Sequence, residues 1–254
     1  MSPKKSTLSV IVIAKNEAPR IAKCVAALSF ADEVIVIDNS STDNTAAIAK
    51  ESGAIVKTTK ADGFAMLRNS AAEGIRSDWV LYVDADETVT PNLAAEIKRV
   101  VGSSANTETG FEIYRKNYYL GTPWPKGEWM LRLFRTDALD GWQGELHETA
   151  LVRGVVGRLK GELLHDTHRT LAEMVEKTNE WSETEAALRF VAHHPRMTWW
   201  RMIRVTLTGF SVSFFGQGGW RAGNVGWIES IYQAFSMFIT YAKLWELQQK
   251  RSHE

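Results

Sequence analysis

The 254-residue sequence predicts an α/β fold with a mixed, mostly parallel sheet and a C-terminal helical, aromatic-rich extension, on three observations. β-Branched runs alternate with helically spaced segments through the first hundred residues. Each run ends abruptly in a polar cluster. After about residue 102 the alternation stops, and from Trp199 onward the chain is rich in Trp, Phe, Met and Gly.

The elements follow in order. Residues 8–14 form a β-branched run of the kind buried on both faces of a sheet. Ile21, Val25 and Leu28 then recur at helical spacing. Residues 34–37 are a second buried strand, which breaks into Asp38-Asn39-Ser40-Ser41-Thr42-Asp43-Asn44-Thr45. Thr42 or Asp43 can cap the following helix, 45–52. A third strand covers 54–57, a helix 63–75 with Phe64, Leu67 and Ala71 on one side, and a fourth strand 79–83, ending at Asp84. Strand and helix in this order read as right-handed crossovers onto a parallel sheet, with ligands at the carboxyl ends of the strands. Those ends carry Lys15-Asn16-Glu17, Asp38-Asn39 and Asp84-Ala85-Asp86, so three polar clusters converge on one edge. Further on, 110–119 and 129–135 read as strands joined by the loop 121–127, 171–192 as an amphipathic helix, and the tail as two helices broken at 216–219.

Composition narrows the class. With 44% hydrophobic and 24% charged residues, the chain belongs among ordinary folded proteins. Its formal net charge of zero gives no basic excess for nucleic acid, which is excluded as a partner. The lone Cys24 rules out an internal disulfide and reads as filler on a helix. The N-terminal segment has only a short apolar run and no cleavage pattern, so no signal peptide is expected, and no stretch is long and apolar enough to span a bilayer.

Two carboxylates directly after a buried strand are fixed by the sheet and repel each other unless a cation lies beside them. Oxygen ligands suit Mg²⁺ or Mn²⁺, whose shell is completed by water and substrate phosphates. Neither a P-loop nor a G-x-G-x-x-G segment is present, so a metal rather than a glycine cradle would handle phosphate. Three ordered segments carry a resemblance: residues 9–17, residues 36–45, and Val83-Asp84-Ala85-Asp86-Glu87. They resemble the signature segments of family-2 glycosyltransferases, over roughly residues 7–150. Within that family, Leu131-Arg132-Leu133-Phe134-Arg135, the His147-Glu148 pair, the region of His165 and the aromatic tail make the whole chain look most similar to the lipopolysaccharide-core β-glucosyltransferases of Gram-negative bacteria.

That resemblance implies the nucleotide-diphospho-sugar transferase fold (the A-type glycosyltransferase fold). It also implies roles for single residues. Asn16 and Glu17 would line the nucleoside pocket, Asp38 would approach base or ribose, Asp84 would hold ribose or a metal-bound water, and Asp86 would bind the metal. Many relatives have an aspartate where this chain has Asn39, which makes uridine less secure as the base.

The second half must supply a base for the acceptor hydroxyl. Glu148 is the first candidate and Glu145 the second, both within Trp142-Gln143-Gly144-Glu145-Leu146-His147-Glu148; the bland alternative is a surface turn with solvated acids. Arg132 and Arg135 have donors suited to diphosphate, although either could be solvated. In His165-Asp166-Thr167-His168, His165 is assigned to the metal or diphosphate, against a plain strand-to-helix connection, and His168 is left out.

Residues 199–245 hold five of the ten tryptophans, with Arg201, Arg204 and Arg221 among them, a mixture that favours a membrane interface over the alternative of a packed helical hairpin or a dimer interface. The expected division is a catalytic domain over 1–168, with a nucleotide-binding half near 7–101 and an acceptor half near 102–168, followed by the helical extension 169–254. The expected activity is inverting, metal-dependent transfer of a hexose from a nucleotide-sugar donor, UDP-glucose, to a lipid-linked saccharide of the lipopolysaccharide inner core. The enzyme would be cytoplasmic and peripheral on the inner face of the inner membrane, with a homo-oligomer left open. Transfer to a polyprenyl phosphate and a non-catalytic sugar-nucleotide-binding membrane scaffold are the alternatives.

Overall fold

A computed structural model describes residues 6–61, 63–144 and 148–250 of the chain. These fall into two compact units. One comprises the chain up to Lys116 together with Glu128–His165; the other comprises Asn117–Gly127 and the chain from Asp166 onward.

The first unit opens as the sequence predicts. Strand β1 (Leu8–Ala14), helix α1 (Ile21–Ala27), β2 (Glu33–Asp38), α2 (Thr45–Glu51), β3 (Ile55–Thr58), α3 (Phe64–Ala72) and β4 (Trp79–Asp84) alternate along the chain. β1 pairs in parallel with both β2 and β4, and β2 with β3. Every β1 residue is buried because the strand is covered on both faces. Val10 and Val12 join Ile21, Val25, Leu93 and Ile97 on one side, while Ile11 and Ile13 join Leu67, Ala71, Tyr82 and Phe134 on the other. A run without polar alternation is what such a two-sided position requires. Asp43, one residue ahead of the α2 N-cap Asn44, accepts the Thr45 N–H at 3.0 Å.

Later elements were not all legible. β5 (Glu87–Val89) and α4 (Pro91–Val101) follow the fourth strand at once, and Thr90 caps α4 by accepting the Leu93 N–H. β6 (Glu108–Tyr119), β7 (Thr122–Pro123) and β8 (Glu128–Arg135) are followed by β9 (Leu139–Gln143), β10 (Thr149–Val152) and β11 (Val155–Thr167). The main sheet runs β3-β2-β1-β4-β8-β6-β11-β5, with β7 on β6, while β9 and β10 form a separate antiparallel pair. Beyond β4 the pairs β4–β8, β6–β8 and β11–β5 are antiparallel. The sheet is therefore mixed, parallel across β3-β2-β1-β4, where crossover helices intervene, and antiparallel in its second half.

The second unit carries α5 (Leu171–Val191), α6 (Trp199–Ser211), a π-helical turn at Val212–Gly216 and α7 (Gly223–Lys250). α5 departs from the amphipathic reading. Its buried stripe is Met174, Thr178, Ser182 and Ala186, whereas Leu171, Val175, Trp181 and Val191 are exposed. Small and hydroxylated residues let it approach α7, where the Thr178 hydroxyl meets the Tyr232 hydroxyl at 2.5 Å. α6 and α7 lie antiparallel, with Gly209 against Gln233 and Met237, and the Met197 N–H bonded to Gln248. At the corner, a Cβ on Gly226 would fall 1.7 Å from the Gly219 carbonyl oxygen, so only glycine allows this approach.

Candidate active site

The acidic turn after β4 is held from below by a buried carboxylate. Glu87 Oε2 accepts the Asp84 backbone N–H at 2.9 Å, and its side chain is completely buried. Such a group needs partners, because an isolated buried charge is far too costly. Glu87 Oε1 accepts from Arg132 and from Arg115, each at 3.2 Å. Arg132 also donates to Asp84 Oδ2 at 2.7 Å. The other Asp84 oxygen accepts from Arg68 Nη2 at 2.9 Å, and the Arg68 Nε–H goes to Glu148 Oε1 at 3.2 Å. The result is a chain of alternating charge: Glu148, Arg68, Asp84, Arg132, Glu87, Arg115 and Glu128.

Local folding explains how Glu148 arrives there. It immediately precedes β10, whose partner β9 is tied to α3 by a reciprocal pair: Asn69 Nδ2 donates to the Trp142 carbonyl at 2.8 Å, and the Trp142 N–H donates to Asn69 Oδ1 at 2.7 Å. Next to Asn69 on α3, Arg68 lies 4.8 Å from the Trp142 ring centroid and is almost fully buried. Burial pushes the Asp84 carboxyl up, but Arg132 and then Arg68 more than offset this and hold it well below the usual carboxylate range. Burial works against the charge of Arg132, and Asp84 and Glu87 outweigh it, so its guanidinium is held more firmly protonated than usual.

Asp86 follows two residues after Asp84 on the same turn. Its Oδ2 lies 3.3 Å from His165 Nε2. β11 brings the histidine there by pairing antiparallel with β5, in a register that sets His165 opposite Glu87. A carboxylate and an imidazole suit a borderline divalent cation such as Mn²⁺ better than Mg²⁺, which prefers an all-oxygen shell. Among the described residues no group of three or more His, Cys, Asp or Glu side chains could hold a metal ion. A cation held by Asp86 and His165 would complete its shell with water and phosphate. Both Asp84 oxygens are engaged by guanidinium groups, which weakens Asp84 as a direct ligand relative to its assignment from the sequence.

The other strand ends differ in what they offer. Asn16, at φ 56°, accepts the Thr42 N–H on its side-chain oxygen at 2.8 Å and donates its own N–H to Ser41 at 2.9 Å, so it clamps two loops together. The Glu17 N–H donates to the Thr45 hydroxyl at 2.7 Å, and its carboxylate pairs with Arg20. Asn39 Oδ1 accepts the Ala61 N–H at 3.4 Å. Asp38 is 3% exposed and accepts the Ser41 N–H on one oxygen; the other, Oδ1, has no hydrogen-bond partner among the described residues. A buried acceptor in that condition fits a donor group brought by a ligand.

Arg135 is not part of this arrangement. It pairs with Trp79 at the start of β4, its guanidinium 5.2 Å from that ring centroid. Asp84 lies five residues on at the other end of the strand, roughly 17 Å away at the usual rise. Arg132 and Arg135 are three residues apart on a strand, and a strand spreads them along its length instead of gathering them. Glu145 and His147 lie outside the described residues. His168 belongs to the second unit, where it meets the buried Glu229 at 3.0 Å and stacks on Tyr119.

Sequence reasoning missed Arg68, Arg115 and the supporting role of Glu87. The one available signal was Arg68, a charge adjacent to Leu67 at the margin of an otherwise apolar helix face. Cys24 lies beneath the acidic turn, and its thiol is pushed up to about 12 by burial first and then by Glu87, Asp86 and Asp84. Thiolate is the reactive form. We therefore expect Cys24 to resist iodoacetamide in native protein at mildly alkaline pH and to react once the chain is unfolded, as read by mass spectrometry; rapid native alkylation would refute this.

Comparison with known proteins gives the lineage. Residues 9–148 match the family model described as glycosyl transferase family 2. The chain is 28% identical over 253 residues to the lipopolysaccharide core biosynthesis glycosyltransferase LpsC of Rhizobium meliloti strain 1021, covering 95% of this chain and 93% of that protein. It is 29% identical over 258 residues to a glycosyltransferase of Rickettsia prowazekii strain Madrid E, covering 96% and 88%. Among solved structures, mannosyl-3-phosphoglycerate synthase from Rubrobacter xylanophilus matches with TM-score 0.48 at 16% identity, covering 74% of this chain and 73% of that one. With the acidic turn at the end of β4, a mixed α/β sheet and a family match over more than half its length, the chain is a glycosyltransferase and belongs to glycosyl transferase family 2.

Proposed function

We propose that the protein is an inverting, metal-dependent hexosyltransferase that uses a uridine-diphosphate sugar, UDP-glucose, and delivers the hexose to a hydroxyl of a lipid-linked lipopolysaccharide inner-core saccharide. The observation that carries this reading is that Arg68 bridges Asp84 of the acidic turn to Glu148. A candidate base and the turn expected to receive the donor thereby share one guanidinium.

Asp38 Oδ1 would accept a hydrogen bond from base or ribose, and Asp84, fixed by its arginines, would orient the ribose side of the donor. Glu148 would take the proton of the acceptor hydroxyl as its oxygen bonds to the anomeric carbon and the bond to the diphosphate breaks. Asp86 and His165 would hold Mn²⁺ or Mg²⁺, which would neutralise the charge of the departing diphosphate. The similarity to LpsC supports the acceptor class. Such an acceptor lies at a membrane, and the second unit would hold the enzyme there.

Calorimetric titration with UDP, in Mn²⁺ and in EDTA, beside Asp86→Ala tests the donor site. Binding that requires both metal and Asp86 is expected, weakened at least about tenfold in the variant. Binding of another nucleotide in preference to UDP would overturn the donor and point to Asn39; no nucleotide binding would overturn the enzymatic reading of the site.

A further inference from the structure

The membrane contact assigned to the second unit has a specific surface. Along α6, Trp199, Trp200, Ile203 and Leu207 are exposed, and along α7 so are Trp227, Ile231, Phe235, Phe238 and Trp245. α7 already buries a different face, through Gly226, Ser230, Thr240, Tyr241 and Leu244, so it is apolar on two sides. A helix in water needs only one such face. The corner of the hairpin joins the two stripes: Trp227 lies 5.8 Å from the Phe210 ring and 4.5 Å from Phe214, which meets the exposed Phe215 edge-on at 5.1 Å. Contiguous exposed apolar surface of this kind marks an interaction site.

Charge identifies what covers it. Between residues 186 and 245 the only Asp or Glu is Glu229, which is buried against His168. The same stretch holds Arg189, Arg196, Arg201, Arg204, Arg221 and Lys243. Arg204 and Arg221 are exposed, and Arg221 lies 4.7 Å from the exposed Trp220 ring. α5 has the opposite balance, with five Glu against Lys177 and Arg189. Leaving aside Arg189, which is on α5, positive charge within the unit is concentrated with the aromatic surface and most of the negative charge lies on α5; on α7, Glu229 is buried against His168 and Glu246 is paired with Lys250. Among the described residues no helix is long and apolar enough to cross a membrane.

The geometry points to the α6–α7 hairpin as an in-plane docking surface for an anionic phospholipid bilayer. Its Trp, Phe, Ile and Leu side chains enter the headgroup boundary, and its arginines pair with lipid phosphate. This rests on the membrane-facing part of the preceding proposal but not on its donor chemistry.

The test is flotation of the full chain with phosphatidylglycerol-containing vesicles and with pure phosphatidylcholine vesicles, at low and high salt. Binding is expected to the anionic vesicles, at least about tenfold weaker on the neutral ones, and to fall with salt. Leu207→Gln with Ile231→Gln should abolish binding, and Arg204→Gln with Arg221→Gln should remove the lipid preference, with circular dichroism confirming that both variants are folded. Tryptophan quenching by brominated lipid in the unaltered protein gives a check independent of any variant. Absence of flotation and quenching overturns the inference, as does equal binding to both vesicle types. So does a concentration-dependent dimer, seen by sedimentation and lost in the Leu207→Gln, Ile231→Gln variant, which would make a second copy the occupant. UDP titration of the same samples separates the two proposals: loss of vesicle binding with UDP binding kept removes only the docking surface, and the reverse removes only the donor site.

Discussion

Glu148→Gln is expected to lower kcat for transfer to a hydroxyl acceptor by about 10²- to 10⁴-fold, the usual worth of a positioned general base. UDP binding should survive, because Glu148 lies at the far end of the charge chain from Glu87, which fixes the acidic turn. The amide retains an oxygen that can accept from Arg68, so the fold should tolerate the change, while the capacity to take a proton is lost. Steady-state kinetics beside UDP titration would read the two separately. Unchanged kcat would remove Glu148 as the base and favour an acceptor that is already an anion, such as a polyprenyl phosphate. Equal loss of UDP binding and kcat would make Glu148 part of the donor pocket instead.

Arg132→Met should act chiefly on stability. Its side chain is 2% exposed and its guanidinium partners Asp84 as well as Glu87, whose side chain is wholly buried. Removing one partner of a buried ion pair leaves an uncompensated charge and costs about 3–5 kcal/mol. Arg115 would still reach Glu87, which places the expected loss near the lower end. Arg68→Met should lose less stability, since Asp84 and Glu148 are 27% and 18% exposed and water can reach them. Its larger effect should be on kcat, because it bridges Glu148 to Asp84 of the acidic turn. Chemical denaturation with single-turnover kinetics on both variants would test the contrast. Equal stability losses with equal rate losses would mean that the network is one structural unit with no division between support and positioning.

Much of the fold was legible from sequence because it is local or repetitive. β1, β2 and β4 read correctly since a strand covered on both faces must be apolar throughout, and the acidic turn was visible as the place where that run stops. The helical tail was legible for the same kind of reason, from its long aromatic spacing and the glycines that interrupt it. β5, β9, β10 and β11 were not, being short or weakly patterned strands whose identity depends on partners far along the chain. Among site residues, Asp84 and Asp86 could be placed by their strand alone, whereas His165 reaches Asp86 only through the register of β11 against β5.

By itself, then, the sequence determined the alternating half of the fold, the position of the acidic turn and the family. Only the tertiary structure decided which charges meet. Arg132 and Arg135 look equivalent in the chain, yet the antiparallel register of β8 against β4 sets Arg135 beside Trp79 and Arg132 beside Asp84. Arg68 and Glu148 are separated by eighty residues and joined by one guanidinium. Strand pairing and the docking of α3 on β9 bring such groups within a few ångströms, and Coulombic interaction at that range outweighs anything that composition or spacing encodes.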